Sequence, residues 1–172
     1  MKALKLIAFL VIGISTTLQA SDDNWVYIGS GNVSQVYLQN SGLEADINSG
    51  EVKAWTKSLL PDGGHVLAKH NYACAKNEHL KLESHKYDAS NNYLSGGKAK
   101  PVWFSVIPES VGYLLMEKVC TTAAKQEIDK IQLIDGGYTS DAKFASIRNS
   151  FGSYADAVII INIQESMDNI EW

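Results

Sequence analysis

The sequence is short of arginine, of cysteine and of long apolar runs, and each shortage closes a class of function. Arg148 is the only arginine among 15 basic residues, which face 19 acidic ones. A protein that reads phosphates needs clustered basic side chains, so nucleic acid is excluded as a partner. The same balance argues against anionic lipid. A membrane-spanning helix needs about 20 consecutive apolar residues, and the run Leu6 to Ile14 stops well short of that. The two cysteines, Cys74 and Cys120, are too far apart for a C-x-x-C redox pair and have no third ligand at zinc spacing. There is no G-x-S-x-G elbow to present a serine nucleophile and no H-E-x-x-H to set two zinc ligands on one helix face. Internal repeats are absent, and no segment combines low hydrophobicity with strong charge as a disordered tail does. A hydrolytic triad is defined by geometry and not by spacing, so a small exported hydrolase stays open as a third reading.

What is present begins with an export signal. Lys2 and Lys5 precede the apolar stretch Leu6 to Ile14, and "STTLQA" ends on a small residue at Ala20. That order predicts a signal peptide over residues 1–20, cut between Ala20 and Ser21. No cysteine stands near the cut, so the expected product is periplasmic, cell-surface or secreted and not a lipoprotein. Loss of Lys2 and Lys5 leaves 13 basic against 19 acidic residues, a formal charge of −6. The remaining chain has the length of one domain and can bury a core.

From Trp25 to about Val106 the pattern is that of strands. "WVYIGS" and "VSQVYL" flank a Gly31–Asn32 turn, which signals a hairpin. "EVKAWTKSL" follows the turn-like "NSG" at Asn48 to Gly50, and "PDGG" at Pro61 to Gly64 ends it. "HVLAKHNYAC" and "HLKLESHKY" follow. In the second, Leu80, Leu82 and Ser84 alternate with His79, Lys81, Glu83 and His85, as in an antiparallel sheet with one wet face. "SNNYLSGGK" is expected to be a loop and "PVWFSVI" a further strand.

Pro108 then ends the extended run. Proline suits a helix's first turn and Ser110 is a candidate cap. Val111, Leu115 and Val119 recur at helical spacing with Leu114 beside them, which predicts a helix packed on the sheet. Cys120 lies at the edge of that stripe. An even cysteine count in an oxidising compartment reads as a Cys74–Cys120 disulfide, two free thiols being the alternative. After Cys120, "AAKQEIDKIQLI" continues helical to a stop at Gly136–Gly137, and "DAKFASIRNSF" is a short helix. "DAVIIINI", residues 156–163, is rich in β-branched residues and predicts a buried strand. The fold class is thus α+β: an antiparallel sheet of about six strands carrying a helix, over residues 21–122. An extension of helix and strand, 123–172, packs on the same domain.

The candidate chemistry is thin. "GSGNVS" at Gly29 to Ser34 resembles a nucleotide loop but lacks the third glycine, and the strand-like "VYLQN" after it cannot act as a phosphate-binding helix. By period-two alternation, His79, Glu83 and His85 fall on one strand face. His79 and His85 would then lie about 20 Å apart, too far to share an ion. No catalytic, cofactor-binding or metal-binding residue is therefore assigned. The strand aromatics Trp25, Tyr37, Trp55, Tyr72 and Trp103 read as core, an exposed aromatic binding face being the alternative.

"NWVYIGS", "VKAWTK", "HVLAKHNYAC", "HLKLESHKYD" and "PVWFSVIPESVGYLLMEKVC" together resemble the surface-adhesin protein E family of Gram-negative bacteria. The resemblance runs from about Asn24 to Cys120, and its Trp…Ile-Pro-x-Ser-x-Gly…Val-Cys finish is its most specific part. It implies a small antiparallel sheet carrying a helix, with the two cysteines bridged. It also implies a non-catalytic module that binds a host extracellular-matrix protein or an envelope component. A periplasmic inhibitor or immunity protein that blocks an enzyme is the alternative that an acidic, disulfide-stapled scaffold would also serve.

Overall fold

Apolar–polar alternation from Trp25 to Tyr87 builds an antiparallel sheet in the computed structural model, which describes residues 24–31, 34–135 and 141–168. The Ala20–Ser21 cut, Asn32 of the first turn and Gly136–Gly137 lie outside the described residues. The strands are β1 (Trp25–Ser30), β2 (Gln35–Gln39), β3 (Glu44–Asp46), β4 (Glu51–Leu59), β5 (His65–Ala73), β6 (Glu78–Tyr87), β7 (Tyr93–Lys98) and β8 (Phe104–Ser105). The sheet runs β1-β2-β4-β5-β6-β7, with β3 also pairing β4 and β8 pairing β6, and every pairing is antiparallel. Three helices follow: α1 (Val111–Asp135), α2 (Asp141–Phe151) and α3 (Ser153–Asp168). The fold is α+β, as the alternation and the helical spacing imply.

Three local expectations are overturned. Residues 93–98, expected as a loop, form β7. Their glycines and exposed side chains carry no strand signal, and backbone pairing with β6 holds them instead. The "PVWFSVI" stretch, expected as a strand, supplies only the two residues of β8. Pro101 and Pro108 bracket it, and β7 already occupies part of the β6 edge it would need. Residues 156–163, expected as a buried strand, lie within α3. Buried Ala155 and Val158 sit three apart with Ile159 beside them, while Ile160 is exposed; that is helical periodicity, and packing has overridden β propensity.

Helix α1 organises the covered side of the sheet. Ser110 caps it, its Oγ accepting from the Tyr113 N–H at 3.1 Å. Leu115, Met116, Val119, Ala123 and Ile128 face inward and are buried, whereas Leu114 lies at the rim beside Gly29 of β1 and is 43% exposed. Below α1 lie Leu38 of β2, Val52 and Ala54 of β4, and Tyr72 of β5. Ala123 and Ala124 are small enough for α2 and α3 to approach, and Ile147, Phe151, Ala155 and Val158 complete one continuous core. The Sγ atoms of Cys74, just beyond β5, and Cys120, on α1, are 2.10 Å apart, with Cα atoms 5.8 Å apart. Strand end and helix are thereby joined. Gly50 has φ +67°, and a Cβ there would lie 2.9 Å from the Ser150 carbonyl carbon. Only glycine lets the end of α2 approach this turn, where the Ser150 hydroxyl donates to the Ile47 carbonyl.

Candidate binding face

Strand parity sends side chains on β4 to opposite sides of the sheet. Val52, Ala54 and Thr56 point toward the helices and are buried; Lys53, Trp55 and Lys57 point away. Small residues on one side and large ones on the other is what a sheet needs if a helix lies on one face only. The pairing register carries this division across the strands. Tyr27, Tyr37, Lys57, Leu67 and His85 form one row on the face that none of the described helices covers. Trp55, Lys69, Glu83 and Lys98 form the next.

Contacts within these rows hold the side chains in place. The Tyr27 and Tyr37 rings meet edge to face with centroids 5.5 Å apart. The Lys57 ammonium stands 4.6 Å from the centroid of the Trp25 ring, a cation–π contact of about 0.5–1 kcal/mol at an exposed site. Trp55 and His85 lie 6.3 Å apart, and His65 stacks on Tyr87 at 4.8 Å. Tyr93, more than half exposed, closes the series beside Tyr87 and His85. A Cβ at Gly96 would meet Nδ1 of His85 at 2.9 Å, so that glycine leaves room for the ring. Lys69 donates to Glu44 at 2.8 Å, and this bond is the main reason the Glu44 carboxyl sits below its usual range. The protein is acidic overall, yet this face presents Lys53, Lys57, Lys69 and Lys98 among its aromatics.

Of the residues that the sequence singled out, Trp25, Tyr37 and Trp55 lie on this open face, Tyr72 lies in the core, and Trp103 is exposed near the β8 edge. The expectation that His79, Glu83 and His85 share a face is wrong. Lys69 pairs with Glu83 but its neighbour His70 pairs with Lys81, so Leu82 is an extra residue in β6. That bulge shifts the alternation and leaves His79 on the helix side, while Glu83 and His85 stay on the open side, 3.5 Å apart. Among the described residues no three His, Cys, Asp or Glu side chains are placed to hold a metal ion. None of the described helices is long and apolar enough to cross a membrane.

Sequence reasoning left Tyr27, Lys57, His65, Tyr87 and Tyr93 out of any site. The signal that could have found Lys57 is the size alternation of "AWTKS", small residues on one face and large ones on the other. Comparison with protein-family models and with curated proteins found no match to this chain.

Proposed function

We propose that this chain is a non-catalytic, exported protein-binding module that docks a host or envelope macromolecule on its open sheet face. The reading follows the resemblance to the surface-adhesin protein E family. The single observation that supports it best is the row structure of that face, where aromatic rings stand among lysines, with Glu44 and Glu83 between them, and none of the described helices lies over them. Aromatic side chains offer large contact area at low entropic cost, and exposed aromatic patches are enriched at interaction sites. Interleaved lysines favour a partner whose contact surface is acidic.

The experiment is a binding assay of the oxidised protein against immobilised host matrix proteins and against an envelope extract. Saturable capture that falls at least tenfold in Trp55→Ala, with circular dichroism unchanged, supports the reading; an anchor residue of an interface carries about 2 kcal/mol or more. The opposing result is enzymatic turnover of ester, peptide, glycan or phosphate substrates that co-purifies with the protein and disappears on changing one Ser, His or Asp.

A further inference from the structure

A second feature lies on the covered side of the sheet, away from the aromatic rows. Under the first turn of α1 a pocket of about 230 Å³ opens between that helix and strands β2, β4, β5 and β6. Its volume is below the roughly 300–1,000 Å³ usual for drug-sized ligands, so an occupant must be small. Tyr72 lines it at 1% exposure, and the Tyr72 hydroxyl has no hydrogen-bond partner in the chain. Nδ1 of His70 and Nδ1 of His79, on the same pocket, are also buried without a partner. The three rings form a close group, with centroids 5.7 to 6.1 Å apart. Buried polar atoms are nearly always hydrogen-bonded, so three of them around one pocket point to a ligand that supplies the complement.

The electrostatics select the sign of that ligand. No lining residue is acidic. The pocket sits at the N-terminal end of α1, where backbone N–H groups and the helix dipole favour negative charge. Facing His70 are Tyr72 on its own strand, His79 and Lys81 on β6, the uncharged Thr56 and Ser58 on β4, and the uncharged Val111, Gly112 and Leu115 on α1. The remaining wall, Val36 with Val111 and Leu115, is apolar. We propose that this pocket binds a small monocarboxylate with a short apolar tail. The carboxylate accepts from the Tyr72 hydroxyl and from the His70 imidazole, His79 being held by its bond to the Phe104 backbone, and the tail lies against Val36 and Leu115.

Burial, with His79 and Lys81 adding to it, holds His70 down at about 4, so the free pocket is neutral near pH 7. A bound carboxylate favours the imidazolium, and binding is therefore coupled to proton uptake. Binding tightens as the pH falls from about 7 toward the unperturbed histidine value of about 6.5 and below.

The test is a histidine-ring proton NMR titration of the oxidised protein with sodium butyrate, with inorganic phosphate in a parallel arm. His65 and His85, on the opposite face, serve as internal references. Butyrate should saturate, move the His70 and His79 signals, leave the references in place and raise the midpoint of His70 protonation. Tyr72→Phe removes one hydroxyl and keeps the ring. It should weaken butyrate binding about tenfold, while its melting temperature without butyrate stays level or rises. The proposal is overturned by no saturable response at His70 and His79, by phosphate acting as strongly as butyrate, or by Tyr72→Phe binding as tightly as the parent. The parent titration decides alone if that variant does not fold.

Discussion

Tyr72 and Trp55 stand on neighbouring strands, yet one is sealed in the core and the other faces away from every described helix. The difference is not in the side chains, both large and each with a polar handle. It comes from strand parity and from the side on which α1 lies. On the helix side, Ala54, Thr56 and Ala68 keep the strand surface low, and the helix fills the space. On the open side, Lys57 covers the Trp25 ring and Trp55 lies beside His85. Aromatic identity therefore says little about role until the layer above each face is known.

That contrast can be broken most strongly at the bridge that holds α1 to the sheet. Replacing Cys74 and Cys120 together by serine removes a closure over 46 positions, which the chain-entropy model values at about 4 kcal/mol. The urea midpoint of the double variant should fall accordingly, and an unchanged midpoint would mean the helix layer holds without its staple. Next in size is a pair of neighbours on α1. Met116→Ala, at a fully buried position, should cost about 3 kcal/mol, whereas Leu114→Ala, at an exposed one, should cost under about 1 kcal/mol. Equal losses by thermal unfolding would contradict the assigned helix face.

The covered face should also be the pH-sensitive one. Burial, then His79 and Lys81, depress His70 to about 4 in the fold, below about 6.5 in the unfolded chain. The unfolded state thus binds the proton first. Stability is full above about pH 6.5 and is lost as the pH falls toward 4, by about 2 kcal/mol at pH 5. His70→Leu should flatten that part of the stability–pH curve measured by urea titration; a slope identical to the parent's would assign it to other groups. The smallest expected effect is at the helix start. Ser110→Ala deletes the cap on the Tyr113 N–H and should cost about 1 kcal/mol in the same assay.

Much of the sheet was legible because half-buried strands write their burial as alternation. "EVKAWTKSL" matches β4 from end to end, and the turns after "NSG" and "PDGG" begin β4 and β5. The helix signal at Ser110 to Val119 was equally clear, since capping and a 3.6-residue stripe agree. β7 was not legible, because an edge strand of glycines and exposed side chains has no apolar face to display. α3 was misread for the opposite reason: an isoleucine run suits a buried strand or a buried helix, and only the neighbouring Ala123 and Ala124 decide which. Of the candidate face, the sequence marks Trp25, Tyr37 and Trp55 as strand aromatics, with the core as the default and an exposed face, Trp55 first, as the alternative. Which face a helix covers is a tertiary fact that no single strand records.

The extra residue at Leu82 splits β6 into two half-strands in opposite phase. Up to Lys81 the odd positions face the helix side, as His79 does, and from Glu83 on they face the open side, as His85 does. A mutational scan of the odd positions alone should therefore divide at position 82. Changes at His79 would register in folding and in the pocket under α1, while changes at His85 or Tyr87 would register in what the open face can hold. Removing Leu82 itself would leave Lys81 opposite His70 and Glu83 opposite Lys69, so the side chains would keep their faces and only the extra twist of the bulge would be lost.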